Sequence, residues 1–262
     1  LITSKTKAIL AVDIFSQPAD WDELKTIAKK HKLFLIEDSA EALGSEYKGK
    51  ECGSFGDAAV FAFYPNKQIT TGEGGVILTN NKKIYESCRS MANQGRKVSN
   101  GKWLEHVQLG YNYRLDEMSC ALGLAQMKRI KDILYKRAKV AELYNKKLKD
   151  IHELEIPYVA NKNKLSWFVY VVKLSRKFAG GRRDKIIKEM AERKIQCSNY
   201  FQAVHLQPFY KKEFSYKAGD FPVAENISKR TLALPFYNDF PEEEIDFVVR
   251  NLKEIILKVK NV

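Results

Sequence analysis

The chain has 262 residues, 45% of them apolar and 29% charged, enough to build a substantial core in one large or two ordinary domains. No apolar run approaches the length of a membrane-spanning helix, so no membrane partner is expected. The formal charge of +13 raises nucleic acid as a partner, but the lysines are spread along helical stretches with intervening acids, as in 135–150, and no basic run is interleaved with stacking aromatics. No nucleic-acid partner is therefore expected. The field can instead attract a small anionic substrate. Cys52, Cys88, Cys120 and Cys197 form no C-x-x-C pair and match no zinc spacing, which points to a reduced, cytoplasmic protein with no metal.

Residues 8–15 read as a strand. A helix start follows at Pro18–Glu23, with Trp21, Leu24, Ile27 and Ala28 at helical spacing, and then a second strand, Leu33–Ile36. Strand, helix, strand at this spacing predicts a parallel βαβ unit. Gly44–Gly56 is a glycine-rich loop or hairpin. Ala58–Tyr64 and Gly75–Thr79 are further strands, with Gly72, Gly74 and Gly75 allowing a tight turn between them. Asn81–Met91 reads as a helix, 95–110 as a loop, and a long apolar-periodic helix runs from Asp116 to Leu148, capped by Asp116 or a neighbour. The composition shifts near 151–164, which predicts two domains, 1–150 and 151–262. The second holds a strand over 167–174 and helices over 183–193, 224–232 and 242–258.

The chemistry gathers where the apolar runs end. Asp38 follows the first and Lys67 the second, beyond Pro65. In open parallel sheets ligands collect past the carboxyl ends of the strands. An amine and an acid on one such rim suit pyridoxal phosphate: the lysine forms a Schiff base and the acid keeps the pyridinium nitrogen protonated. A lone lysine in a lysine-rich chain would be a surface residue, and a lone Asp after a strand would be a turn former.

The long ordered motifs E-D-S-A-E (37–41), G-S-F-G-D-A-A-V-F-A-F-Y-P-N-K (53–67) and T-G-E-G-G (71–75), with G-Y-N-Y-R-L (110–115) and A-V-H-L-Q-P-F-Y (203–210), resemble the DegT/DnrJ/EryC1/StrS family. The resemblance runs from Ala8 onward. It implies an α/β fold, with a three-layer large domain around a mainly parallel sheet, incomplete here, and a smaller C-terminal α+β domain. It implies a pyridoxal 5'-phosphate-dependent aminotransferase that moves an amino group from glutamate or glutamine to a nucleotide-linked keto-sugar in polysaccharide or glycan synthesis. It also implies a homodimer with a shared active site.

By the same resemblance Lys67 is the Schiff-base lysine and proton shuttle, and Asp38 is the partner of the ring nitrogen. Glu41 stands where glutamine is common, near the ring hydroxyl, and Glu37 is structural. Asn112 reaches the cofactor phosphate of the neighbouring subunit, and Arg114 either anchors that loop or forms a structural ion pair. His205 is a candidate for the substrate entrance, although a histidine beside apolar residues is more often packed. Ala62 departs from the serine found in many relatives, which contacts the phosphate. A sugar dehydratase of this family would carry histidine in place of Lys67. The chain opens on Leu1, and before Ala8 there is neither a glycine-serine/threonine phosphate loop nor a ring-stacking aromatic. The resemblance thus implies an N-terminally truncated chain, with an inactive fragment or partner subunit as the alternative reading.

Overall fold

The computed structural model describes residues 1–98 and 103–260. In chain order the elements are β1 (Ala8–Val12), α1 (Trp21–His31), β2 (Phe34–Asp38), β3 (Glu46–Tyr47), β4 (Lys50–Glu51), β5 (Ala58–Ala62), β6 (Gly75–Leu78) and α2 (Lys82–Ala92). Then come α3 (Glu117–Met127), α4 (Ile130–Leu148), β7 (Leu154–Glu155), β8 (Asn163–Lys164), β9 (Tyr170–Leu174) and α5 (Gly181–Glu192). The last are α6 (Pro208–Phe214), α7 (Pro222–Ser228), β10 (Thr231–Leu234) and α8 (Glu242–Lys260). They fall into two compact units, Leu1–Leu134 with Val159–Phe168, and Tyr135–Tyr158 with Val169–Val262. The boundary read from composition, at 150/151, lies inside the second unit. No helix among the described residues is long and apolar enough to cross a membrane.

The first unit is built on a four-stranded sheet of order β1-β2-β5-β6. β1, β2 and β5 are parallel, with Val12 opposite Asp38 and Asp38 opposite Val60, while β6 is antiparallel to β5. The β1–α1–β2 crossover forms as its sequence predicts. Asp22 and Glu23 sit in the first turn of α1 and Lys29, Lys30 and His31 in the last, matching the helix dipole. Lys32, in the left-handed region, ends the helix by bonding the Ala28 and Lys29 carbonyls. Trp21 on α1 stacks on Phe55 with ring centroids 5.4 Å apart, and Leu35, Ala42, Tyr47 and Cys52 complete this core. The glycine-rich stretch contains the β3–β4 hairpin, whose turn residues Lys48 and Gly49 both have positive φ, as a two-residue turn requires.

Two helix expectations change. The long helix from Asp116 is two, α3 and α4, parted at Lys128–Arg129, where Arg129 N–H bonds the Gln126 carbonyl three residues back. Asp116 does cap α3, its side chain accepting from Ser119 N at 2.9 Å. The helix expected over 224–232 stops at Ser228, and Thr231–Leu234 is a strand with all four residues buried. A short, fully buried apolar run has no period that separates strand from helix.

The second unit has an antiparallel sheet of order β10-β9-β7. α8 buries Ile245, Val248, Leu252, Ile255, Ile256 and Val259, and α5 buries Ile186 and Met190. Tyr144 of α4 stacks on Tyr170 of β9 at 4.7 Å.

Candidate functional site

β2 ends at Asp38, in register with Val12 and Val60, so the turns after β2 and β5 leave the sheet at the same rim. Asp38 is the last strand residue, its Oδ1 accepting from Ala40 N at 3.2 Å. Glu41 follows in the turn. After β5 the chain passes Pro65 and closes a turn in which Lys67 N–H bonds the Tyr64 carbonyl at 3.0 Å.

These turns place the Lys67 Nζ 3.6 Å from Glu41 Oε1, with the two side chains 13% and 12% exposed. The same Nζ lies 4.2 Å from the centre of the Phe168 ring, a cation–π contact. Glu41 Oε2 accepts from Phe15 N at 3.0 Å. Burial pushes the Glu41 carboxyl above its ordinary range; the Phe15 amide and Lys67 pull it back, and the negative charge of Asp38 adds to the rise. An amine thus sits in a mostly buried niche between a carboxyl and an aromatic face, with a second carboxyl beside the first. Such a niche keeps most water from the amine.

Beneath the rim lies a second acidic pair. Asp13 Oδ1 accepts from Ala19 N at 2.8 Å and Trp21 Nε1 at 3.1 Å, and its Oδ2 stands 2.8 Å from the Ser39 hydroxyl. Glu37 accepts from Gly53 N, from Phe55 N at 2.9 Å and from Gly56 N at 3.3 Å. Glu37 is therefore structural, as expected: it binds the 53–56 loop to β2. Asp13, Glu37 and Cys52 offer ligand atoms within 4.8 Å of one another, but N–H donors already occupy the carboxylates. Burial raises Asp13 above the usual carboxylate range and pushes the Cys52 thiol up.

The remaining predicted residues lie apart from the lysine niche. Asn112 is on an exposed loop whose backbone bridges to Asn93, and among the described residues its side chain takes no part in the niche. Tyr111 and Tyr113 flank it, stacked at 4.9 Å. Arg114 anchors that loop by donating to Asn93 Oδ1 at 2.9 Å. His205 belongs to the second unit, buried, with Nε2 3.1 Å from Glu225 Oε1 and its ring 4.7 Å from Phe221. It is packed and partnered there. Ala62 pairs with Gly75 at the end of β5 and brings no hydroxyl. Sequence reasoning missed Phe168, because the contact joins residues a hundred positions apart and the 167–174 run reads only as a strand.

The chain matches the profile of the DegT/DnrJ/EryC1/StrS aminotransferase family over residues 1–253. It is 35% identical over 264 residues to the spore coat polysaccharide biosynthesis protein SpsC of Bacillus subtilis, covering 97% of this chain and 68% of that protein. It is 34% identical over 253 residues to the GDP-perosamine synthase of Escherichia coli O157:H7, covering 97% and 66%. Its fold matches Helicobacter pylori PseC, an aminotransferase involved in the biosynthesis of pseudoaminic acid, with TM-score 0.91 and 28% identity, over 98% of this chain and 69% of that one. The chain thus spans about two thirds of the length of these relatives, and with a lysine niche at its sheet rim it belongs to the DegT/DnrJ/EryC1/StrS aminotransferase family.

Proposed function

We propose that this chain serves the pyridoxal phosphate-dependent transfer of an amino group from glutamate, or glutamine, to a nucleotide-linked keto-sugar for polysaccharide or glycan synthesis. The observation that carries this reading is the Lys67 amine held at the strand-end rim between Glu41 and Phe168. The names of the relatives, a polysaccharide biosynthesis protein and a GDP-perosamine synthase, support the sugar substrate.

The residues fit two ends of the cofactor. Lys67 offers a sheltered amine for its aldehyde, and Asp38 offers a carboxylate on the same rim for its ring nitrogen. The phosphate end is not matched in this rim: Ala62 has no hydroxyl, and the Thr70 hydroxyl already donates to the Phe63 carbonyl at 3.0 Å. When bound, the group supplies an electron sink for the bonds around the amine-bearing carbon. Lys67 then acts through Nζ, taking a proton from the substrate carbon and returning it. Glu41 Oε1 steadies the charge on that nitrogen, and Phe168 excludes water from one side of it.

A cytoplasmic homodimer completes the proposal, with Asn112 and the stacked tyrosines of its loop facing the neighbouring subunit's site. The test is to supply the chain with pyridoxal phosphate, glutamate and a panel of nucleotide-linked keto-sugars, and to follow amino-sugar product and 2-oxoglutarate by mass spectrometry. Glutamate-dependent product that disappears in Lys67→Ala is expected. Cofactor bound at Lys67 with no product from any panel member overturns the reading.

A further inference from the structure

Three remote segments of the first unit meet in a buried polar network beside Lys67. The Ser16 hydroxyl donates to the Glu41 carbonyl at 2.7 Å and accepts from Phe168 N at 2.7 Å and from the Ser166 hydroxyl at 3.1 Å. Gln68 Nε2 donates to the same Glu41 carbonyl at 2.9 Å and to Ser166 Oγ at 2.8 Å. The Ser45 hydroxyl lies 2.8 Å from the Ser16 carbonyl and accepts from Ser166 N at 3.0 Å. Ser16 and Ser45 are fully buried, Ser166 is 2% exposed and Gln68 5%. A buried network with its members satisfied fixes one arrangement, because any other leaves polar groups dry and unpaired.

Each branch of this network ends on something that touches the lysine. Gln68 is the next residue in the chain. Glu41 supplies the carboxyl 3.6 Å from Nζ, and Phe168 supplies the ring 4.2 Å from it. Ser16 binds both the Glu41 and the Phe168 backbones directly. We infer that Ser16 is a positioning residue for Lys67, its hydroxyl holding Glu41 and Phe168 on either side of the amine.

The backbone supports this. Phe15 and Ser16 both have positive φ, 54° and 68°. Glycine would occupy that region without strain, whereas serine carries a Cβ there and is strained. This conformation turns the Phe15 N–H onto Glu41 Oε2 and the Ser16 hydroxyl onto the Glu41 carbonyl. Both ends of Glu41 are thus set by one two-residue turn.

The inference rests on Lys67 being the reacting amine, but its test needs neither turnover nor bound cofactor. In the cofactor-free chain, lysines are labelled competitively with trace acetic anhydride, and Lys67 is compared with the exposed Lys149 by peptide mass spectrometry. Ser16→Gly relieves the backbone but leaves the Phe168 N–H without its acceptor, so the variant is first shown to be folded by near-UV circular dichroism. Labelling of Lys67 relative to Lys149 should then rise by about threefold or more, the size of losing part of one hydrogen bond's hold. The Glu41 carboxyl, followed by 13C NMR, should titrate nearer the ordinary glutamate range as it gains water. Should Ser16→Gly fail to fold, Ser166→Ala and Gln68→Leu carry the same comparison. Unchanged relative labelling in a folded variant overturns the inference and leaves the network a plain packing tie.

Discussion

Lys67 Nζ stands 3.6 Å from Glu41 Oε1, beyond hydrogen-bonding reach but close enough for each charge to feel the other, in a niche that shelters both side chains from water. The carboxyl nevertheless sits above its ordinary range, because desolvation outweighs the help of Phe15 N–H and Lys67. The sign of the linkage follows. A carboxyl raised in the folded state binds its proton more tightly there than when unfolded, so stability falls as pH rises from the ordinary glutamate value of 4.5 toward the folded value. Glu41→Gln should remove that falling segment. Urea unfolding of both chains across pH 4–8 checks it, and an unchanged difference between them across that range would place Glu41 in open water.

If Asp38 pairs with the ring nitrogen as proposed, Asp38→Asn and Asp38→Ala should cut amino transfer by orders of magnitude while sparing much of the cofactor binding, because the counter-charge is lost. Steady-state kinetics beside absorbance titration separates the two effects. Near-normal turnover in both variants would leave Asp38 as the turn former that its bond to Ala40 N also allows.

If the Asn112 loop serves a neighbouring site, two inactive chains should repair each other. Lys67→Ala and Asn112→Ala proteins, each inactive alone, are expected to regain up to about a quarter of wild-type activity when unfolded together and refolded, as random pairing of symmetric dimers gives. No recovery in a verified mixed dimer would keep Asn112 out of the shared site.

The turn behind Lys67 makes unequal demands on its glycines. Gly72 has φ +82° with nothing near a future Cβ, so Gly72→Ala should cost only the left-handed strain of about 1 kcal/mol. A Cβ on Gly75 would stand 2.8 Å from the Phe61 carbonyl oxygen in the β5–β6 pair. Gly75→Ala must push the strands apart and should cost more, about 2–3 kcal/mol. Equal denaturation midpoints for the two variants would show that β6 yields freely.

What the sequence made legible was local. The βαβ unit, the Asp116 cap and the arrival of Asp38 and Lys67 at one rim follow from apolar runs, turn residues and strand direction. The Ser228 end of α7 was hidden because Thr231–Leu234 is buried on all sides. The niche itself was hidden for another reason. Ser16, Ser45, Ser166 and Phe168 are ordinary residues whose roles arise from partners 121 to 152 positions away, and no window of sequence contains both members of such a pair.

Those separations also order the protein's birth. Ser166 and Phe168 return to the first unit only after the chain has travelled through α4 and β7. Contacts this distant in sequence are slow to form, because a long loop must close before they reward it. On a ribosome adding about 5–20 residues per second, Lys67 emerges several seconds before the ring that will cover it. Through that interval the niche is incomplete, and the amine meets solvent without its aromatic cover. Lys67 is sheltered by the last segment to join its unit.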